Sequence, residues 1–392
     1  MGQRKYFLDW LRVMAFGLLI LFHVGCLYAT WVYNIKSPRI VPAVEWFLLA
    51  LHPWRMALLF LISGVAARIF VDKLGAGHFA FDRLRRLVPV ILFGCLAVVP
   101  AQTYVELLSK RLIGGEDYLT FWLHDYLGMN VRLMKALHKY MPTYDHLWFI
   151  VYLLVYALLF AGVMAAVRLV AKKGPPRPLP LWLLLAVPAL WLIATTYVTE
   201  RIWPVTFWIT DDWGSHLRWA GLFVIGACLA VQDGFWDFVH RRRLVLCVLA
   251  LVFLALQSLN RLYYLTGRDD PLWSAIRWSL ASGLFSWFAI CALCGYARRY
   301  LDAPSPVLSH LNQAILPVYV IHQPILLIAA YLIFPLNLPM AEEAAAIIGT
   351  TALGSFAFYE VLIRPIAPLR FLFGVRLKPR DGDKAPAIPK RN

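Results

Sequence analysis

Two polar residues of the first apolar segment, Arg12 and His23, could do chemistry together. They lie eleven residues apart, which places both on one face of a helix, roughly 16 Å apart along its axis. A guanidinium near the helix end, with Asp9 beside it, can bind an anionic ligand. A histidine deeper in the segment can transfer protons, because its unperturbed pKa lies near neutrality. The alternative is that Arg12 reaches lipid headgroups and His23 only bonds a neighbouring helix.

Arg55 lies well inside the second apolar segment. A charge surrounded by apolar residues is costly and needs a partner or a water-filled cavity, so Arg55 is a candidate ligand-binding residue. Ser63 and Gly64 follow about two turns later and would allow close contact with another helix. A structural ion pair is the alternative role for Arg55.

Basic residues at the start of the third apolar segment could bind phosphate groups. Arg83 and Arg86 follow Asp82 closely, and guanidinium groups hold phosphates through paired hydrogen bonds. The positive-inside rule also places arginines at such a position. The cluster alone therefore does not distinguish a phosphate site from a signal for membrane orientation.

His146 and Trp148 open the fourth apolar segment. Aromatic residues at this position are typical of an anchor at the membrane interface. Tryptophan also stacks on the faces of sugars, so a carbohydrate site is the second interpretation.

A polar patch and a charged pair lie near the carboxyl-terminal end of the chain. Tyr319 and His322 lie between Pro317 and Pro324, a pattern that predicts a broken helix lining a cavity. Glu360 precedes an arginine by one helical turn, a spacing more typical of a structural ion pair than of catalytic residues.

The cysteines favour neither a metal site nor a catalytic thiol. Cys291 and Cys294 lie in an apolar segment without a second pair nearby, as a metal site would require. Cys26 is close to His23, but a thiol in apolar surroundings has a raised pKa and is usually inert. Phosphate-binding glycine loops and the signature motifs of serine hydrolases and zinc proteases are absent from the sequence.

The elements that must position these residues are membrane helices. The chain has 392 residues, of which 61% are hydrophobic and 15% charged, whereas soluble domains have about 45–50% apolar and 25% charged residues. Segments of about 20 apolar residues can cross a bilayer as helices. We therefore predict an all-α polytopic bundle of about ten membrane helices. The predicted spans are residues 8–30, 44–70, 87–108, 147–170, 180–199, 216–232, 244–265, 272–296, 310–334 and 344–365.

The net charge of +16 is interpreted as a signal of membrane orientation and not as a nucleic-acid site. Lysine and arginine are concentrated in the segments that share a side with the N-terminus, which predicts that both termini are cytoplasmic. Residues 1–373 are predicted to form the membrane domain. Residues 374–392 are predicted to form a basic, disordered cytoplasmic tail.

Taken together, these motifs resemble the integral-membrane acyltransferase 3 family. The resemblance covers residues 4–370 and is closest to the branch that succinylates osmoregulated periplasmic glucans. The matching elements occur in the family's order. They are Arg4, Tyr6-Phe7-Leu8-Asp9, Arg12, His23, Arg55-Met56, Phe60-Leu61-Ile62-Ser63-Gly64, Arg83, Arg86, His146-Leu147-Trp148-Phe149, Asn312 and Tyr319-Val320-Ile321-His322-Gln323-Pro324.

The resemblance implies a multi-pass inner-membrane enzyme that takes an acyl group from cytoplasmic succinyl-CoA or acetyl-CoA, without a metal, and transfers it to a periplasmic glucan or other polysaccharide. Membrane lipid surrounds it, and no nucleic acid is involved. The residue roles fall into three groups. Expected catalytic residues are His23 and Arg12; expected donor-binding residues are Arg12, Arg83, Arg86, Arg55 and Ser63; expected acceptor-side or supporting residues are Asp9, His146, Trp148, Tyr319, His322 and Glu360.

This chain departs from the branch in one motif, and the departure bears on which acyl group and which glycan it uses more than on the type of reaction. The branch often has His-His-Pro where this chain has His322-Gln323-Pro324. O-acetylation of another envelope polysaccharide is therefore an alternative. Broken helices and intramembrane charges also fit a proton-coupled transporter.

Overall fold

The computed structural model describes residues 5–170, 177–267 and 270–375, and this part of the chain is helical without any strand. Most of the predicted tail, residues 376–392, lies outside the described residues. The helices are α1 (Tyr6–Tyr28), α2 (Val44–Leu74), α3 (Ala76–Phe93), α4 (Val99–Ser109), α5 (Tyr118–Thr120), α6 (Val131–Leu137), α7 (Trp148–Val170), α8 (Leu181–Arg201), α9 (Trp213–Leu229), α10 (Asp233–Leu265), α11 (Pro271–Tyr300), α12 (Pro306–Ile333), α13 (Met340–Phe358) and α14 (Ala367–Leu372). Single π-helical turns cover Gly94–Val98, Phe121–Tyr126 and Tyr359–Ile363, and 3₁₀ turns cover Asp145–Leu147 and Phe334–Leu336.

The prediction of an all-α polytopic bundle is confirmed. Within the described residues, nine helices are long and apolar enough to cross a membrane. The third of them, Ala76–Ser109, joins α3 to α4 through a π-helical turn. The remaining predicted span corresponds to α9, whose 17 residues are near the lower limit of about 17 for a membrane helix.

The chain divides into two compact units. The first unit comprises Met1–Ala15, Trp46–Leu84 and Val151–Ala303. The second comprises Phe16–Glu45, Arg85–Ile150 and Pro304–Asn392. The two are described separately below.

A proline inside α2 leaves a backbone carbonyl of the first unit for side chains to use. Pro53 has no N–H, so the carbonyl of Leu49 loses its helical partner. Gln257 of α10 donates to that carbonyl at 3.2 Å, and Ser286 of α11 donates to the carbonyl of Pro53 at 2.8 Å. The bond from Gln257 satisfies a backbone group that lipid could not satisfy, and the two bonds join α10 and α11 to α2.

Helices α2 and α9 approach each other through glycines. A Cβ at Gly64 would collide with the backbone carbonyl of Phe223, and one at Gly226 would collide with the carbonyl of Leu61. The expectation that Gly64 permits close helix contact is therefore met within this unit. Next to the crossing, Phe60 stacks on Trp219 with ring centroids 5.4 Å apart.

We expect Gly64→Ala to lower the free energy of unfolding by about 1–3 kcal/mol, the usual cost of overpacking. The colliding atoms belong to a backbone, so they cannot move aside as a flexible side chain would. Gly162→Ala in α7 is the matched control, because nothing lies within 4 Å of its added Cβ. Thermal unfolding in detergent measures both, and equal midpoints for the two variants would contradict the close approach.

The core of the second unit joins the end of α1 to α12 and α13. Leu27, Leu326 and Ile347 are buried in one apolar cluster. The loop after α1 is held to that helix by Lys36, whose ammonium donates to the carbonyls of Cys26 (2.6 Å) and Trp31 (3.0 Å), and also to that of Ala29. A cation at a helix C-terminus satisfies the last carbonyls of the helix. The loop that follows His23 is thus fixed against its own helix.

Candidate active site

Two histidines from α1 and α12 form a hydrogen-bonded pair in the second unit. His23 Nδ1 lies 3.1 Å from His322 Nε2, and the two rings are nearly parallel, with centroids 5.3 Å apart. His322 Nδ1 lies 2.6 Å from the carbonyl oxygen of Tyr319. A carbonyl only accepts, so His322 Nδ1 carries a proton.

The bond from His322 Nδ1 to the carbonyl of Tyr319 determines which nitrogens of both histidines carry protons. In the neutral pair, His322 Nε2 carries the lone pair and accepts, so His23 Nδ1 donates to it. The lone pair of His23 is then on Nε2, on the opposite side of its ring. His322 is 1% exposed, whereas His23 is half-buried. The arrangement is that of a general base oriented by a second group.

A third histidine, His146, is held beside the pair by a carbonyl that a proline has released. Pro324 cannot donate to Val320 four residues earlier, and the carbonyl of Val320 instead lies 2.9 Å from His146 Nε2. His146 is therefore protonated on Nε2. Its Nδ1 is buried and has no hydrogen-bond partner among the described residues. The ring lies edge-on to His322, with centroids 5.7 Å apart.

Tyr319 connects the same two elements from the other side. Its hydroxyl donates to the backbone carbonyl of His146, and its ring contacts Phe16 and Phe149 edge-on, at 5.4 and 6.2 Å between centroids. The predicted polar patch of α12 thus lies against His23. The three histidines are not arranged to hold a metal ion in the described part of the chain.

Tyr33 and Gln323 complete this cluster and were not among the predicted site residues. Gln323 Nε2 donates to the hydroxyl of Tyr33 at 2.7 Å. The Tyr33 ring lies 5.8 Å from the ring of His23. Burial raises the pKa of Tyr33 well above its ordinary value, so the phenol stays protonated. No periodicity marks Tyr33, because it lies in the loop between two spans.

A buried ion-pair network lies next to His146 in the chain. Lys139 Nζ lies 2.8 Å from Glu106 and 2.9 Å from Asp145, and Asn34 donates to Glu106 at 2.8 Å. Burial alone would lower the pKa of Lys139, but the carboxylates of Asp145 and Glu106 outweigh it and raise that pKa. Sequence reasoning missed this network although Glu106 lies inside a predicted span, where a carboxylate is itself a signal.

A second buried carboxylate, Glu343 at the start of α13, was also missed. Arg39 donates a hydrogen bond to the carboxylate of Glu343 at 2.5 Å. The hydroxyl of Tyr28 donates a second one to the same carboxylate at 3.0 Å. This ion pair joins the loop after α1 to α13. It therefore fixes the same loop that carries Tyr33.

The predicted donor residues of the first unit have structural partners of their own. Arg12 pairs with Asp9 at 3.0 Å, and its side chain is 32% exposed. Arg83 lies over the ring of Phe79 at 5.1 Å. Arg12 thus keeps a neutralising carboxylate beside it while part of its side chain stays accessible.

Two further predicted donor residues of this unit, Arg55 and Ser63, are more enclosed. Arg55 is 3% exposed, as expected for a charge inside an apolar run. Ser63 donates to the carbonyl of Leu59 one turn earlier at 2.7 Å. Its proton is therefore used within α2, which weakens the prediction that it binds the donor.

The remaining predicted residues belong to the second unit but not to the histidine cluster. Arg86 donates to the carbonyl of Gly374 at 2.9 Å. Glu360 pairs with Arg364 as the spacing predicts, at 2.6 Å, and also with His310 at 2.6 Å. Trp148 contacts Phe149 edge-on. Of the predicted set, the structure brings together His23, His146, Tyr319 and His322.

Comparisons with known proteins agree with the geometry. A family model described as "Acyltransferase domain" matches residues 5–360. The proteins named "Glucans biosynthesis protein C" of Salmonella typhi and Salmonella typhimurium are each 22% identical to the chain over 389 residues, covering 95% of both sequences. No solved structure matches the chain. The match extends across both units and includes the residues of the histidine cluster, and on this basis the chain belongs to the acyltransferase 3 family and is a multi-pass membrane acyltransferase.

Proposed function

We propose that this enzyme transfers a succinyl group from cytoplasmic succinyl-CoA to hydroxyl groups of a periplasmic glucan, from the inner membrane and with both termini in the cytoplasm. The observation that carries the proposal is the bonded series from His23 through His322 to the carbonyl of Tyr319. It gives His23 Nε2 the lone pair that a base needs. The printed name of the Salmonella relatives supports a glucan as the acceptor.

In the proposed reaction, His23 acts as the general base. Nε2 takes the proton of the acceptor hydroxyl as its oxygen attacks the thioester carbon, and His23 later returns this proton to the leaving thiolate. His322 positions the imidazole and shares the charge that develops on it. His146 Nδ1 is buried and can accept a hydrogen bond, so it is suited to bind a hydroxyl group of the sugar that receives the acyl group.

The anionic donor requires cations. We assign the phosphates of the donor to Arg12, Arg83 and Arg86, because guanidinium groups bind phosphate in a two-pronged geometry. Arg55 is the candidate for the free carboxylate of a succinyl group. The Trp148 ring is assigned to the acceptor side, where aromatic faces contact sugars. Glu360, which pairs with His310 and Arg364, is assigned a supporting role.

Mass spectrometry of envelope glycans from cells with and without the gene tests the acyl group and the acceptor at once. A succinyl increment on periplasmic glucan supports the proposal. A mass increment of an acetyl group would show that the donor is acetyl-CoA and not succinyl-CoA. An increment on another polysaccharide would show that the acceptor is that polysaccharide and not a glucan. Purified enzyme in detergent, given succinyl-CoA and glucan, should form the ester without any membrane gradient, which a transporter cannot do.

We expect His322→Asn to lower kcat by roughly 10- to 100-fold, the scale found when the hydrogen-bond partner of a metal-ligating histidine is lost. Asparagine is polar but cannot both accept from His23 Nδ1 and donate to the carbonyl of Tyr319 with the same geometry. The KM for the donor should change little. Steady-state kinetics on purified protein measures both parameters, and an unchanged kcat would remove His322 from the mechanism.

A further inference from the structure

The protons around His23 are almost all committed to bonds inside the protein. His322 Nδ1–H is used by the carbonyl of Tyr319, and His146 Nε2–H by that of Val320. The hydroxyl proton of Tyr319 is used by the carbonyl of His146. These groups cannot also stabilise negative charge on a bound substrate.

Tyr33 differs from them. Its oxygen receives the hydrogen bond from Gln323 at 2.7 Å, and its own proton has no acceptor among the described residues. Tyr33 is half-buried as a residue, and Gln323 is 2% exposed. Because Gln323 donates to this oxygen, the hydroxyl proton of Tyr33 is directed away from the amide and is left for another acceptor.

We propose that Tyr33 donates the hydrogen bond that stabilises the oxyanion of acyl transfer, and that Gln323 is the positioning residue that turns its hydroxyl towards the substrate. This inference rests on the proposed function. The centroids of the Tyr33 and His23 rings are 5.8 Å apart, with the rings tilted by 39°, which places the phenol beside the imidazole that takes up the proton.

The acceptor oxygen bonds to the acyl carbon, its proton passes to His23, and the carbonyl electron pair moves onto oxygen. Tyr33 donates a hydrogen bond to that oxyanion and keeps its proton. When the electron pair returns, the carbon–sulfur bond breaks, and the leaving thiolate takes the proton from His23. Such a donor acts more strongly on the transition state than on the bound thioester, so it raises kcat.

Tyr33→Phe removes one oxygen and keeps the ring. Loss of a single oxyanion donor lowers kcat by about 10²–10³-fold, and we expect that loss with the KM for succinyl-CoA nearly unchanged. Tyr300→Phe, which changes an exposed tyrosine, is the matched control and should keep full activity. Unfolding temperatures of both variants, measured in detergent, show whether either is misfolded.

Substitutions of Gln323 test the positioning role. Gln323→Glu offers a carboxylate that accepts the proton of Tyr33, so kcat should fall nearly as far as in Tyr33→Phe. The double variant should be little worse than either single one, because both remove the same hydrogen bond. Gln323→His retains an N–H donor and should keep most of the activity.

The outcomes separate this inference from the proposed function. An active Tyr33→Phe beside an inactive His23→Gln overturns the role of Tyr33 and leaves the proposed function standing. If the Tyr33→Phe and His23→Gln variants are both active, the proposed function is overturned as well. A rise in KM without a fall in kcat makes Tyr33 a substrate-binding residue and also overturns the proposal. Full activity in Gln323→Glu, or multiplied losses in the double variant, overturns the positioning role.

Discussion

Replacing His23 with glutamine is expected to lower kcat for acyl transfer by about 10²–10⁴-fold, the usual contribution of a positioned general base. Glutamine approximates the size of the ring and can still bond to His322, but its amide cannot take a proton at neutral pH. The rate of CoA release with glucan present, measured on purified enzyme, gives kcat directly.

His124→Gln is the matched control for this experiment, because it changes an exposed histidine of the π-helical turn Phe121–Tyr126 in the same chemical way. It should retain wild-type activity. If His23→Gln retained it too, the bonded histidine pair would be a packing feature and the base would have to be sought elsewhere. Comparable unfolding temperatures for the two variants are needed before the rates are compared.

The second large effect is on stability. We expect Lys139→Met to lower the free energy of unfolding by about 3–5 kcal/mol, because it leaves Asp145 without its cation and Glu106 with Lys110 alone, 2.6 Å away. The side chain of Asp145 is only 14% exposed, so water replaces the lost ammonium poorly. Lys135→Met on α6, where the lysine is exposed, should change stability by about 0.5 kcal/mol or less.

The sign of the pH dependence follows from the raised pKa of Lys139. A lysine whose pKa is higher in the folded state contributes its full stabilisation below its unfolded pKa of about 10.4, and loses it as the pH rises through the folded value. The network is therefore intact at neutral pH. Thermal unfolding as a function of pH should show wild type and Lys139→Met converging only in strongly alkaline solution.

Much of the fold could be predicted because lipid restricts it. Apolar segments of about 20 residues must become helices, and nine of the ten predicted spans correspond to helices that meet the length and hydropathy expected of membrane spans. The prediction that Arg12 and His23 share one face of a helix required only that the helix be continuous, and α1 runs from Tyr6 to Tyr28. The division into two units had no signal in the sequence.

The site was predicted in part. His23, His146, Tyr319 and His322 could be selected because polar groups inside apolar segments are exceptional. The sequence could not predict which nitrogen of each histidine ring carries the proton, because that depends on backbone carbonyls that packing brings close to the rings. Tyr33 was out of reach for a different reason: it lies in a loop, and only the folded loop, held by Lys36 and Arg39, brings it to His23.

The series of bonds from His23 ends on an uncharged peptide oxygen, whereas a carboxylate ends it in many hydrolases. When the pair takes up a proton it therefore becomes a net cation, with no negative charge inside the series to balance it. By thermodynamic linkage, any anion that binds beside the pair must increase its affinity for protons, and acidification must tighten the binding of that anion by the same factor. Anionic compounds are thus the class in which to look for inhibitors whose potency rises as the pH falls.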